Sequence, residues 1–397
     1  MLRTIQLRPL LAAYSLPERF KSEFAVLAGE NLHRAHSETR VSGRGLSQTT
    51  QRQRAQILLS MAVELHDGGF GLTSPYSLRQ KHIRWLVRRW VLERGMAVGS
   101  VELRLSHLRA LCAWMGKAGL VGKLDDYVER PEGYQRSYVA QSDRSWAGNA
   151  VRATELIEKI TQTDRYVGLQ LRIEAGFGLR AQESWRLRPR MDLLPSGQLF
   201  VREGTKGGRP RHVPIEFDWQ YDLLVEAAQV AAQVNPGRES MIPAQYNQKQ
   251  WRRRFYAVLE KHGVTKKGEG VTAHGLRHQY LQEMYERIAG RPAAVKGGGK
   301  VLDPAAHRDA MERVVSAAGH SRASKANAYL SSFQTMSTLG KPVVTVGQVR
   351  EAVLAAAGNK ASAAKALGIS RAKLYRVLGT EDSQALLAKA PGEVDEQ

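Results

Sequence analysis

The sequence predicts a mainly α-helical protein with one small β-hairpin or sheet, an α+β unit flanked by helical domains. Apolar residues recur at helical spacing through most of the chain. One stretch, LFVREGTKGGRPRHVPI at 199–215, instead alternates in apolar character about a glycine-rich turn, as strand, turn and strand do. At 397 residues the chain is also too long for one small core, so two to four domains are expected.

Taken in order, residues 1–45 read as an N-terminal extension of weak helical content that ends in the basic, polar stretch HRAHSETRVSGRG. Residues 46–122 read as a helical domain. Leu58, Leu59, Met61, Ala62 and Leu65 mark its first helix. Ile83, Leu86, Val87, Trp90 and Val91 form the apolar face of a second, within SLRQKHIRWLVRRWVLERG, and SVELRLSHLRALCAWMGKAGLV supplies a third. Residues 123–150 lack clear periodicity and hold a Pro-Glu-Gly turn, so they read as an interdomain linker. Residues 151–340 contain the hairpin and helices expected near 165–178, 216–233, 247–261, 273–288, 308–317 and 323–334, with a Gly/Pro loop at 290–307. A further helical element at 341–380 and a tail at 381–397 complete the chain.

Composition narrows the partner. Lys and Arg number 59 against 38 Asp and Glu, a formal charge of +21. Such an excess repels itself in a compact monomer unless a polyanion is the working partner, and released phosphate counterions favour nucleic acid. Ribosomal association and a basic surface kept for solubility are the other sources of such a charge. In the second helix Arg79, Lys81, Arg84, Arg88 and Arg89 surround the apolar face. They form either the solvated surface of a bundle or a clamp on DNA phosphates, with Arg84, Arg88 and Arg89 as the candidate contacts.

Cys112 is the only cysteine, which excludes an intrachain disulfide and fits a reducing cytoplasm. No apolar run approaches the roughly 18 residues of a membrane span, and the N-terminus lacks a secretory apolar region. A soluble, cytoplasmic protein with no membrane partner is expected.

Four segments carry residues suited to chemistry. GFGLRAQES places Glu183 three residues after Arg180, and GTKGG places Lys206 at the hairpin tip. TAHGLRH puts His274 and Arg277 on one face of a helix start, and AGHSRASKANAYL sets His320 nine residues before Tyr329. Each alone is weak. An arginine near a helix end usually caps it or lies on the surface, and a tyrosine among small residues usually packs half-buried. His274 and His278 are spaced i, i+4 but lack a third ligand or an HExxH acid, so no metal site is expected. The hairpin turn lacks the GxxxxGK[ST] order of a phosphate loop.

Together and in this order the segments resemble the active site of tyrosine recombinases and phage-type integrases. The resemblance covers about 150–335, and the helical segment before it is similar to that family's core-binding domain. It implies a catalytic set of Arg180, Lys206, His274, Arg277, His320 and Tyr329, with Glu183 supporting. Tyr329 would be the nucleophile, giving a 3′-phosphotyrosine and a free 5′-hydroxyl. Cleavage of a phosphodiester builds charge on the non-bridging oxygens, which two guanidiniums, Arg180 and Arg277, can clamp with paired hydrogen bonds. A phenol is a weak acid and needs help to ionise, a task for His274, with His320 donating to the phosphate. Lys206 would protonate the departing 5′-oxygen, and Glu183 would orient Arg180. The covalent link conserves the bond energy, so no metal, ATP or other cofactor is implied. The implied partner is double-stranded DNA carrying an attachment or recombination site. A homotetramer on two sites would form, with a DNA-bending accessory protein as a further partner, in a bacterial mobile-element setting.

Two features depart from the simplest pattern. Arg277 and His320 are 43 residues apart, and the excess lies in the 290–307 loop, which either reaches DNA or a neighbouring subunit or is a passive insertion. After Tyr329, VGQVREAVLAAAGNKASAAKALGISRAKLYRVLG resembles a Fis-type helix-turn-helix. Ala361–Leu367 would be its first helix, Gly368-Ile369-Ser370 the turn and Arg371–Leu378 the recognition helix, offering Arg371, Lys373 and Arg376 to DNA. The alternative is a small helical tail for oligomer contacts. For the whole chain the competing readings are a topoisomerase-like nicking-closing enzyme and a DNA-binding regulator on an inactive catalytic scaffold.

Overall fold

The computed structural model describes residues 4–35, 45–339 and 346–378, except 373 and 376. The chain divides into two compact units, 1–136 with 341–397, and 137–340.

In the first unit five helices share one apolar core: α1 (Arg8–Ala12), α2 (Glu18–Asn31), α3 (Gln48–Asp67), α4 (Gln80–Arg88) and α5 (Val98–Trp114). Residues 4–35 were expected to be an extension of weak helical content. They instead bury Leu11, Leu16, Phe20, Phe24 and Leu27 in this core, at about 1.5–3 kcal/mol for each large side chain fully removed from water. Ser47 caps α3 by accepting from the Thr50 amide. The second basic helix is not uniform: α4 passes at Arg89 into a π-helical turn, Arg89–Glu93. That turn keeps Trp90 and Val91 in the core while shifting the faces that follow.

The second unit holds the hairpin and is wrapped by helices. A 14-residue stretch before it, 137–150, reads as linker by composition but is tied down. Trp146 is fully buried and its indole donates to the Thr272 carbonyl at 2.8 Å, and the Ala140 amide donates to Asn327 O at 2.9 Å. Next come α6 (Ala153–Thr163) and α7 (Arg165–Phe177), the latter capped by Asp164 and ended by Gly178 at φ +59°. Two short helices, α8 (Ala181–Arg186) and α9 (Pro189–Asp192), lead into the sheet.

The sheet has three antiparallel strands, β1 (Leu193–Leu194), β2 (Gln198–Val201) and β3 (Arg211–Pro214), in sequential order. The expected hairpin is β2–β3, and the two-residue β1 adds a third strand. Pairing sets Leu199 opposite Val213 and Val201 opposite Arg211, so these four side chains point to the core. Phe200 and His212 stack on the other face, 4.8 Å apart.

Beyond the sheet lie α10 (Asp218–Val234), α11 (Gln248–Lys261), α12 (Ala273–Ala289) and α13 (Pro304–Ala317). Two apolar clusters fill the unit, one around the sheet and one around Trp146, Trp185, Trp251 and Phe255. Helix α12 borders both, giving Leu276 to the second cluster and Tyr280, Leu281 and Met284 to the first. The Gly/Pro loop after α12 contains a short turn, Ala294–Lys296, anchored by buried Ala293 and Val295.

The continuous helix expected at 323–334 is broken into a 3-10 turn (Ala323–Ala326), α14 (Asn327–Leu330) and α15 (Phe333–Thr338). Ser331 causes the break. It adopts φ +61°, ψ −168°, a conformation costly for a residue with a side chain, and its hydroxyl donates to Ala140 O at 2.6 Å.

Near the C-terminus, α16 (Val346–Ala355) and α17 (Lys360–Ala366) share a small core of Val349, Val353, Ala363, Ala364, Leu374 and Leu378. Asn359 caps α17, and Gly368 turns the chain at φ +62°.

Candidate active site

The site is built around one carboxylate. Glu183 sits at the third position of α8, and Arg180 at its N-cap, so the side chain folds back to accept from the Arg180 amide at 2.8 Å and from Arg180 Nη1 at 2.7 Å. Arg211 reaches in from β3 with a two-pronged contact, Nη1 and Nη2 donating to the two Glu183 oxygens at 2.8 and 2.7 Å. Arg277, on the first turn of α12 and fully buried, stands 3.9 Å from the same carboxylate. Burial would raise the Glu183 carboxyl, but the Arg211 hydrogen bonds and the charges of Arg211, Arg180 and Arg277 outweigh it and hold it at about 2. One anion thus serves three guanidiniums, leaving the pocket strongly positive.

The end of α13 supplies the other anchors. Its last carbonyls, at the negative end of the helix dipole, receive Arg211 Nε (Ala317 O, 2.6 Å), Arg277 Nη2 (Ala318 O, 2.6 Å) and Arg180 Nη2 (Ala318 O, 3.2 Å). Arg277 Nη1 donates to Gly178 O. Gly178 must lack a side chain, since a Cβ there would come within 2.4 Å of Tyr280 in a backbone already at positive φ.

Tyr329 is buried against this cage. Its hydroxyl lies 3.3 Å from Arg277 Nε and 3.3 Å from His320 Nε2, and the Arg277 guanidinium lies over its ring at 5.6 Å. His278 packs on the ring at 4.9 Å and His274 stands farther, at 6.4 Å. Gln282 holds the Tyr329 carbonyl at 3.2 Å and Asp143 at 2.9 Å.

All three imidazoles are held neutral. Burial, then the charges of Arg180 and Arg277, push His320 down to about 4. Desolvation, then Arg277 and Arg180, bring His274 to about 4, although the residue is exposed. Burial takes His278 to about 3, and Arg277 to about 10, so the guanidinium stays charged at neutral pH.

The structure therefore brings Arg180, Glu183, His274, Arg277, His320 and Tyr329 together. Lys206 stays exposed on the hairpin turn, at Lys206–Gly208, close enough for its charge to depress His320. Two residues escaped the sequence reading. Arg211 carries a signal in the strand alternation, which puts it inward beside Val213. His278 carries one in its i+4 spacing from His274.

Of the basic residues proposed to meet DNA, Arg84 and Arg88 are exposed. Arg89 is half-exposed, paired to Glu64 at 3.3 Å and Glu93 at 3.4 Å and stacked over Trp85 at 5.2 Å. Arg371 is exposed, while Lys373 and Arg376 lie outside the described residues. Among the described residues no cluster of three or more His, Cys, Asp or Glu could hold a metal ion, and no helix is long and apolar enough to cross a membrane.

A caged arginine cluster and a buried tyrosine are thus carried on helices around a three-stranded sheet. Residues 136–283 match the family model described as Integrase. A lambda integrase dimer bound to a COC′ core site shares the fold, with a TM-score of 0.50 and 15% identity over 83% of this chain and 82% of that one. Further likenesses are to the XerH site-specific recombinase bound to palindromic difH substrate (TM-score 0.48, 14% identity, 85% and 94% covered) and the Tn1549 transposon integrase with transposon right end DNA (0.48, 13%, 79% and 96%). No curated protein sequence matches the chain.

Proposed function

We propose that this chain is a site-specific DNA recombinase that cleaves and rejoins strands through a 3′-phosphotyrosine at Tyr329. The observation that carries the reading is the Tyr329 hydroxyl held between Arg277 and His320 at the mouth of the arginine cage. In this reading the tyrosine oxygen attacks the scissile phosphorus and the P–O5′ bond breaks. The phosphate becomes esterified to Tyr329, and Lys206 delivers a proton to the departing 5′-oxygen. Arg180 and Arg277 stabilise the charge that grows on the non-bridging oxygens. The phenolic proton passes to a neutral imidazole. The resemblance assigns that task to His274, whereas the 3.3 Å contact favours His320 for the first transfer. Religation by a 5′-hydroxyl from another strand runs the same steps backwards.

The DNA-bound lambda integrase dimer that shares the fold supports double-stranded DNA as the partner. Arg84 and Arg88 would hold phosphates, and the segment 346–378, with Arg371 exposed beside its small core, would act as a second DNA contact of helix-turn-helix type. A homotetramer, a bending accessory protein and a mobile-element origin complete the proposal.

The test is incubation with a nicked suicide substrate carrying candidate site DNA, in EDTA, followed by a denaturing gel. A covalent adduct formed by the native protein and lost in Tyr329→Phe is expected. Tight sequence-specific binding without an adduct would favour a regulator, and sequence-independent nicking and closing would favour a topoisomerase-like enzyme.

A further inference from the structure

We infer that Arg211, on the inward face of β3, is a positioning residue that sets the phosphate clamp; the inference rests on the recombinase reading above. An arginine facing an apolar core needs a buried acid, and Arg211 finds it 28 residues back in Glu183. Each Glu183 oxygen takes one Arg211 donor and one Arg180 donor, which saturates the carboxylate. Because Arg211 supplies half of these bonds, Glu183 is not free to close on Arg277, which stays at 3.9 Å. Arg277, the guanidinium beside Tyr329, therefore keeps its charge, and the second N–H of each Nη, for a phosphate.

The third Arg211 contact does a separate job. Its Nε donates to Ala317 O at 2.6 Å, one residue before the carbonyl that receives both Arg180 and Arg277. Gly319 follows at φ +65°, where an added Cβ would lie 3.0 Å from Arg211 Cδ, and His320 comes next. One side chain thus registers the strand behind the Lys206 turn, the start of α8 and the turn that carries His320. Its Nε, Nη1 and Nη2 donate to Ala317 O and Glu183 and none to Tyr329, so Arg211 acts through Glu183 and the α13 end. Lysine cannot replace it, since an ammonium lacks the planar fork that spans a carboxylate and a carbonyl at once.

The experiment compares adduct formation by native protein and by Arg211→Lys on two suicide substrates. One carries the ordinary scissile phosphate, and the other a neutral methylphosphonate in its place. With the ordinary phosphate the variant should be slower by about 10- to 100-fold, the scale of a small misplacement of catalytic groups. With the methylphosphonate, which has one negative charge fewer to clamp, the loss should shrink to about 3-fold or less. Gel-shift affinity for the site should stay within about 2-fold, because Arg211 is buried. Equal losses on the two substrates, or no loss on either, would overturn the inference. Should Arg211→Lys fail to fold, the double variant Glu183→Gln with Arg211→Gln leaves no buried charge unpaired on either of them, and the same two outcomes decide. Absence of any adduct from the native protein would count against the recombinase reading itself and is read separately.

Discussion

Arg277 Nε and the Tyr329 hydroxyl are 3.3 Å apart, so the guanidinium that would clamp a phosphate also holds the oxygen that would attack it. The same arginine is fixed at its other nitrogens by Gly178 O and Ala318 O. In the proposed cleavage it would enter already oriented, with little reorganisation left for the reaction.

Arg277→Lys keeps the charge but loses this three-way anchorage. Adduct formation is expected to fall by about 10²- to 10³-fold, the usual scale for losing an oriented donor at developing charge. Single-turnover cleavage measures it. Site affinity measured in parallel should change little, because the scissile phosphate is one of many backbone contacts.

Glu174 predicts a pH effect on stability. It is fully buried and accepts from Ser184 at 3.0 Å; burial first, and then the charge of Glu183, raise its carboxyl to about 8. The native state therefore holds a proton between about pH 4.5 and 8 that the unfolded chain releases, so this group costs stability as pH rises through that window. The depressed imidazoles act oppositely: between about pH 6.5 and 4 the unfolded chain binds their protons first, and stability falls as pH drops. Glu174→Gln mimics the protonated acid and should raise Tm by several degrees at pH 8, with little gain at pH 5. Thermal melts at the two pH values check it, and an equal shift at both would refute the assignment.

Arg88 and Arg89 are neighbours with different expected roles. Exposed Arg88 offers its charge to a phosphate, so Arg88→Ala should weaken binding uniformly across sequences and reduce the salt slope by about 1. Arg89 is tied to Glu64 and Glu93, and Arg89→Ala should act mainly on folding, by about 1 kcal/mol or less for such half-exposed pairs. Salt titrations of DNA binding and urea melts separate the two.

Ser331→Gly relaxes the positive φ immediately after α14 and removes the bond to Ala140 O. The two effects on stability oppose, about 1 kcal/mol each, so the melting temperature should barely move. The tyrosine segment, however, loses one of its anchors, and slower adduct formation at unchanged stability is the expected result.

The long elements were legible in the sequence because their signals are local. α7, α11 and α12 fall within a residue or two of their expected limits, α7 capped by Asp164, α11 by Asn247, and α12 closed by Gly290. Six residues of the site were legible from spacing and family resemblance. What escaped depends on distant partners. A two-residue strand has no periodicity to read, the π turn at Arg89 breaks no apolar pattern, and the interruption at Ser331 is enforced by a carbonyl 191 residues away. Arg211 was visible as an inward-facing arginine, but its meaning needs Glu183, which folding alone brings near.

The stretch 140–146 gives the site a mechanical property. It grips the candidate site at two points: Trp146 at the threshold of α12, which bears Arg277, and Ala140 at both ends of α14, which bears Tyr329. Like a rein with two bits, this strap would transmit any pull on the incoming polypeptide to clamp and nucleophile together, so the two would seat or slacken in concert.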